Sequence, residues 1–321
     1  MNRLSIVLVF VVAVTTAVPV SAQQDRAGGH LEVLRVRDNI YLLAGKDGNT
    51  TVQTGPDGIL VVDTKSAERV DQLLDELRKL SALPLRYIIN THFHADHTGG
   101  NVRMRDSGST IAGGNISMEI GNAAYGAQIV AHENVLVRLS SSYGSGSELP
   151  PEGWPTSVYF TGSKNLYFNG EGIQILHVPA AHTDGDSMVY FRHSDVIVAG
   201  DIMLTTTYPY IDTEAGGTYQ GILDGLNILV DMMIPEYGQD DGTLVIPGHG
   251  RICDVGDVIN YREMLTIIRD RIVDMIGKGM TLKQVREARP TFDYDGRWGI
   301  GSGSYSTDDF IEAAYHTLGG Q

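Results

Sequence analysis

A chain of 321 residues with 24 basic against 39 acidic side chains carries a formal charge of -15, which argues against nucleic acid or an anionic membrane as a partner. A small-molecule substrate fits that balance better. The one cysteine, Cys253, excludes an internal disulfide, and the length suffices for one large domain with a substantial core.

Met1-Asn2-Arg3 precedes an almost wholly apolar run from Leu4 to Val14, and Val20-Ser21-Ala22 ends in small residues. This is the pattern of a secretory signal peptide over residues 1–22, with a retained N-terminal anchor as the alternative. Residues 23–321 are then the mature domain, periplasmic or secreted. No later apolar run is long enough to span a bilayer, so no membrane contact is expected after cleavage.

The runs Leu31 to Arg37, Ile40 to Ala44, Thr50 to Thr54 and Ile59 to Thr64 are β-rich and separated by turn residues, which predicts antiparallel strands in tight hairpins. Val70, Leu73, Leu74, Leu77 and Leu80 then recur at helical spacing, so an amphipathic helix follows. Tyr87-Ile88-Ile89-Asn90 reads as a strand entering Thr91-His92-Phe93-His94-Ala95-Asp96-His97. Three imidazoles and a carboxylate within six residues suit a divalent metal. If the strand period persists, His92 and His94 share one side and Asp96 and His97 follow the turn, so one short segment can serve two adjacent ions.

Residues Ser140 to Ser147 are small and polar, which predicts an exposed loop that is either a lid or an ordinary connection. In the second half, Ile173 to Val178, Met188 to Arg192 and Val196 to Ala199 read as strands, the last closing on Gly200-Asp201. Helices are predicted at Tyr219 to Met233, Val255 to Ile276, Thr281 to Ala288 and Thr307 to Leu318. The stretch from Thr51 to Asp63 matches the stretch from Val189 to Asp201 in outline: strand, turn, apolar strand, aspartate. That suggests a faint internal duplication. Strands and helices in both halves favour layered α/β packing. Further candidate ligands, His182, Asp201 and His249, all stand where an apolar strand runs into a turn.

With these motifs in order from Asp63 to His249, the chain resembles the metallo-β-lactamase superfamily. The resemblance implies an αββα sandwich, two mixed β-sheets face to face and flanked by helices, with two zinc ions at one edge; iron or manganese are the less favoured metals. It places His92, His94 and His182 on the first ion and Asp96, His97 and His249 on the second. Asp201 would bridge them, and Asp63 would brace the histidine loop without touching metal. The implied activity is hydrolysis of an amide, lactam or ester bond by a metal-bound hydroxide, with Asp96 as the catalytic carboxylate that orients it.

Asp201 stands where true β-lactamases of this superfamily use cysteine or serine, and Leu204 and Thr205 follow where one subclass has a carboxylate-binding lysine. Glyoxalase II fits no better, since no basic glutathione-binding cluster is present. Export suits antibiotic breakdown, which ranks a β-lactamase-like activity narrowly ahead of a lactonase, esterase or thioesterase. A mononuclear iron oxidoreductase is the alternative of another class. Trp154, Tyr208 and Tyr210 are candidate substrate contacts, because they flank the predicted loop or follow Asp201. His177, on a strand ahead of His182, reads as structural.

Overall fold

The computed structural model describes residues 29–110, 125–142, 149–234, 242–301 and 305–320. The leader expected at 1–22 and the 143–147 part of the polar run lie outside these residues. Ser140 to Ser142, expected in that loop, instead end a helix.

Seven strands form the first sheet in chain order: β1 (Glu32–Arg37), β2 (Ile40–Ala44), β3 (Asn49–Gly55), β4 (Gly58–Val62), β5 (Leu85–Ile89), β6 (Gln128–His132) and β7 (Ser157–Tyr159). The first four pair antiparallel through tight turns, and β4 to β7 pair parallel. The second sheet contains β8 (Ser163–Phe168), β9 (Glu171–His177), β10 (Ser187–Phe191), β11 (Val196–Leu204) and β12 (Leu244–His249). Here β8 to β11 pair antiparallel, and β11 pairs parallel with β12.

Alternation along the strands explains the layering. On β4, Leu60 and Val62 enter the core between the sheets, while Ile59 and Val61 face α1 (Val70–Leu80) on the outside. On β11, Val196 and Val198 face the inter-sheet core, and Ile197 and Ala199 face an outer cluster. A two-residue period with both faces apolar requires cover on both sides of a sheet. The cover on the second sheet is α5 (Tyr219–Met232), α6 (Val255–Gly277), α7 (Leu282–Ala288) and α9 (Thr307–Thr317), with the single turn α8 (Asp295–Trp298) beside them. On the first sheet, α2 (Ala95–Thr98), α3 (Asn101–Ser107) and α4 (Glu133–Ser142) complete the outer layer with α1. The result is the expected αββα sandwich.

Helices α6, α7 and α9 begin at Asp254, Thr281 and Ser306, each of which forms a reciprocal capping box with the residue three positions on. These signals explain why the helix starts were readable within a residue or two. Among the described residues, no helix is long and apolar enough to cross a membrane.

Candidate metal centre

The expectation that His92 and His94 continue a strand is corrected: β5 ends at Ile89, and both histidines lie in the bend before α2. They meet all the same, His92 Nε2 standing 3.1 Å from His94 Nδ1. Asp63 explains the early departure. It follows β4 in the left-handed region (φ 63°), which an aspartate tolerates better than most residues. From there its carboxylate accepts hydrogen bonds from Thr91 N (2.8 Å) and Thr91 Oγ1 (2.7 Å), and lies 2.8 Å from His97 Nδ1. The histidine segment is thus held by these side-chain bonds together with backbone bonds from Ser187 N to Thr91 O (2.8 Å) and from Thr64 N to His97 O (2.9 Å).

A second correction concerns Asp201, which does not close its strand. β11 runs on to Leu204, with its register against β12 shifted around Gly200. Gly200 has φ 55°, and a Cβ there would press on the Thr91 side chain, so glycine permits both the kink and the close approach. Gly248 on β12 serves the same end, since a Cβ at that position would fall on Asp201 Oδ1.

Seven side chains predicted as ligands come together in three overlapping groups: His92, His94 and His182; His92, His97 and Asp201; and Asp96, His97 and His249. Within each group the ligand atoms lie within 4.8 Å of one another. His182 Nε2 is 2.9 Å from His94 Nδ1, and His249 Nε2 is 3.2 Å from Asp96 Oδ2. Asp201 stands between the groups, Oδ1 3.3 Å from His97 Nε2 and Oδ2 3.8 Å from His182 Nε2 and 3.7 Å from His249 Nε2.

These donors fit divalent cations. His97 Nε2 and Asp201 Oδ1 are buried and make no hydrogen bond, an arrangement that costs stability unless something else satisfies both atoms. Burial pushes His92 well below its ordinary pKa and His182 down to about 4, which keeps both rings neutral and able to donate lone pairs. Burial also opposes charge on Asp201, but His97 and His249 outweigh it and hold the carboxyl well below its usual range. At Asp96 burial is likewise overcome, by the hydrogen bond to His249 and the charge of His97, and the pKa falls to about 2.

Outer nitrogens have partners of their own, which fixes ring orientation. His92 Nδ1 lies 3.1 Å from Thr91 Oγ1, and His182 Nδ1 lies 2.7 Å from the Tyr210 carbonyl. His94 Nε2 lies 2.9 Å from Asp212 Oδ2. Sequence reasoning missed Asp212, because it is 118 positions from His94 and its motif carries no metal-ligand pattern. It also missed Asn49, whose side-chain amide donates to the carbonyls of Pro247 (2.9 Å) and Gly250 (3.0 Å) and so ties the first sheet to the turn that carries His249. Asp212→Ala is expected to weaken metal binding by about 10- to 100-fold, with Asp212→Asn losing less because it keeps an acceptor. A chelator-competition titration reads the difference; equal affinities in all three proteins would show that Asp212 does not orient His94.

Beside the donors lies a cleft of about 630 Å³ lined by His94, Asp96, Asp201, His249, Tyr210 and Tyr305 among others. Tyr210 is 38% exposed, with its ring centroid 5.7 Å from that of His94, and it meets Tyr305 edge to face. Tyr208 borders the cleft but is fully buried: its hydroxyl donates to Thr291 O and Asp295 Oδ1, and its ring stacks on Phe310. Trp154 is placed elsewhere, packed with Phe93 on a small cluster under the histidine loop, its indole N–H donating to Leu149 O. Of the three proposed substrate contacts, Tyr210 alone presents its ring to the cleft. His177 stacks on His132 at 3.6 Å, between the two sheets.

The sequence profile of the Metallo-beta-lactamase superfamily matches residues 43–249. The linear primary-alkylsulfatase of Pseudomonas sp. (strain ATCC 19151) is 26% identical over 269 residues, 72% of this chain and 48% of that one. The hydroxyacylglutathione hydrolase of Pelagibacter ubique (strain HTCC1062) is 24% identical over 179 residues, 54% of this chain and 56% of that one. The chain thus spans about half the length of these curated relatives. In fold it is similar to the crystal structure of DIM-1 metallo-beta-lactamase, with a TM-score of 0.54 and 18% identity, over 74% of this chain and 98% of that one. Two mixed sheets with donors gathered at one edge, and a profile match that takes in every one of those donors, make this chain a member of the metallo-beta-lactamase superfamily.

Proposed function

We propose that the protein is a dinuclear zinc hydrolase that opens an uncharged ester or lactone carbonyl. The observation that carries this reading is the convergence of two donor groups on Asp201, beside a cleft whose described lining contains no lysine or arginine. His92, His94 and His182 would hold one ion, Asp96, His97 and His249 the other, with Asp201 shared. Divalent cations held by these residues would supply water activation near neutral pH and polarisation of a carbonyl oxygen.

The chain's own residues do the rest. Asp96 engages His249 and His97 through Oδ2, which leaves Oδ1 to accept a proton from an attacking water and pass it to the leaving group. Tyr210 and Tyr305 wall the cleft with aromatic surface, which positions a substrate and displaces water from it.

Lactam opening ranked narrowly first on sequence; the lack of lysine and arginine in the described cleft lining supports placing ester or lactone opening ahead of it. A β-lactam carries a carboxylate and an alkyl sulfate carries a sulfonate charge. Either would need a cation beside the metals to avoid leaving that charge unpaired next to Asp96. A neutral ester or lactone needs none.

The test is a hydrolysis panel of lactone, ester, thioester, penicillin, cephalosporin, carbapenem and alkyl sulfate substrates, run with and without a chelator and alongside elemental analysis. Expected are two zincs per chain, ester or lactone turnover more than about tenfold above the rest, and its loss on chelation. Faster lactam cleavage would restore the order read from sequence. A single iron would point to an oxidoreductase.

A further inference from the structure

The metal cleft has a neighbour. A second cleft of about 270 Å³ shares His94 and Ala95 with it. Phe93, Leu139 and Leu149 supply its apolar surface, and Ala67 and Glu68 stand exposed beside it. Leu139 and Leu149 are buried in the small cluster on which Phe93 packs, so the floor is built and does not depend on a ligand to form. The Phe93 ring lies 4.5 Å from that of His94, so apolar surface begins where the metal donors end.

We propose that this second cleft receives the apolar acyl or alkyl chain of the substrate whose carbonyl is opened in the metal cleft. The inference rests on the ester and lactone reading above. Three observations on the lining select this occupant. Its shared residues put an entering chain within reach of a carbonyl held beside His94. The floor is hydrocarbon and aromatic, so transfer of methylenes out of water favours occupancy. Among the described lining residues Glu68 is the acidic one, and its carboxylate disfavours a chain that ends in a negative group. Volume sets a limit as well, since a cleft of this size fills after a medium-length chain.

Two measurements on the full-length protein test the proposal. In the first, kcat/KM is followed for p-nitrophenyl esters from acetate to decanoate. It should rise about fourfold per methylene until the cleft is full and then level off. In Ala67→Trp, which blocks the mouth from an exposed position, the acetate rate should be unchanged and the chain-length gain lost. Glu68→Lys should raise the rate for an ω-carboxylated chain over its wild-type value.

The second measurement needs no turnover: calorimetric titration with n-alcohols from ethanol to octanol. Affinity should rise with chain length in the wild type and stay flat in Ala67→Trp. Acetate and octanoate cleaved equally well, with no chain-length trend among the alcohols, would overturn the chain site and leave the hydrolase reading intact. Alcohols bound with the expected trend, but no ester or lactone hydrolysed, would keep the site and remove the hydrolase reading.

Discussion

Asp201→Ala is expected to leave a folded protein that holds at most one metal ion and has lost about 10³-fold or more in turnover. The reason is positional. Both Asp201 oxygens face metal donors, Oδ1 towards His97 and Oδ2 towards His182 and His249, so this carboxylate is the element common to both halves of the centre. Its loss would take away a carboxylate placed to serve both proposed ions, and with it the negative charge that would offset them. Asp201→Asn separates charge from volume, since it fills the same space and keeps one acceptor; its turnover should fall nearly as far. Elemental analysis, hydrolysis rates and circular dichroism on the same preparations provide the check. Two retained ions with normal turnover in Asp201→Ala would remove the shared-ligand role.

Asp63→Ala should produce the largest loss of stability, roughly 3–5 kcal/mol, together with a 10- to 100-fold loss of metal affinity. Asp63 is buried and receives the Thr91 amide, the Thr91 hydroxyl and the His97 ring. Removing the carboxylate leaves those groups without partners in a place water does not reach, and a buried unsatisfied donor costs about 1–3 kcal/mol. Alanine also lacks the short polar side chain that makes the left-handed conformation tolerable at this position, which adds about 1–2 kcal/mol. Urea unfolding in the presence of a chelator measures this destabilisation without the contribution of bound metal. An unchanged midpoint in the metal-free protein would show that the histidine loop does not depend on Asp63.

Much of the fold was readable because its signals are local. The hairpins β1 to β4 follow from turn residues at Asp38-Asn39 and Gly55-Pro56-Asp57-Gly58, and α1 from the spacing of Val70, Leu73, Leu74 and Leu77. The matching outlines around Asp63 and Asp201 also have a structural counterpart. Each belongs to an antiparallel hairpin whose second strand then takes a parallel neighbour, β4 with β5 and β11 with β12. Strands β6, β7 and β8 were not identified. Gln128 to His132 is short, and β7 and β8 carry exposed residues such as Val158 and Tyr167 along sheet edges, so no clean alternation marks them.

At the site, residue chemistry was written in the chain and orientation was not. Histidine and aspartate where apolar runs meet turns marked the candidate donors, and the fold brings them together in groups that could hold metal. Trp154 packs away from the cleft and Tyr208 borders it as a fully buried ring, because an aromatic side chain close in sequence to a candidate ligand packs into a core as readily as it lines a cleft. Asp212 and Asn49 carry no motif, and they matter only because folding brings them to His94 and to the turn that bears His249.

The sequence by itself determined the candidate donors, the hairpins and the helix starts, since each depends on spacing within a few residues, while the four-layer plan followed from the family resemblance that those motifs carry. Only the tertiary structure decided which ring nitrogen faces inward, that Asp201 sits within a kinked strand and stands between two groups, and that the described cleft lining contains no lysine or arginine. Those properties depend on side chains far apart in the chain, whose distances are set by sheet packing and by the close approaches that Gly200 and Gly248 allow.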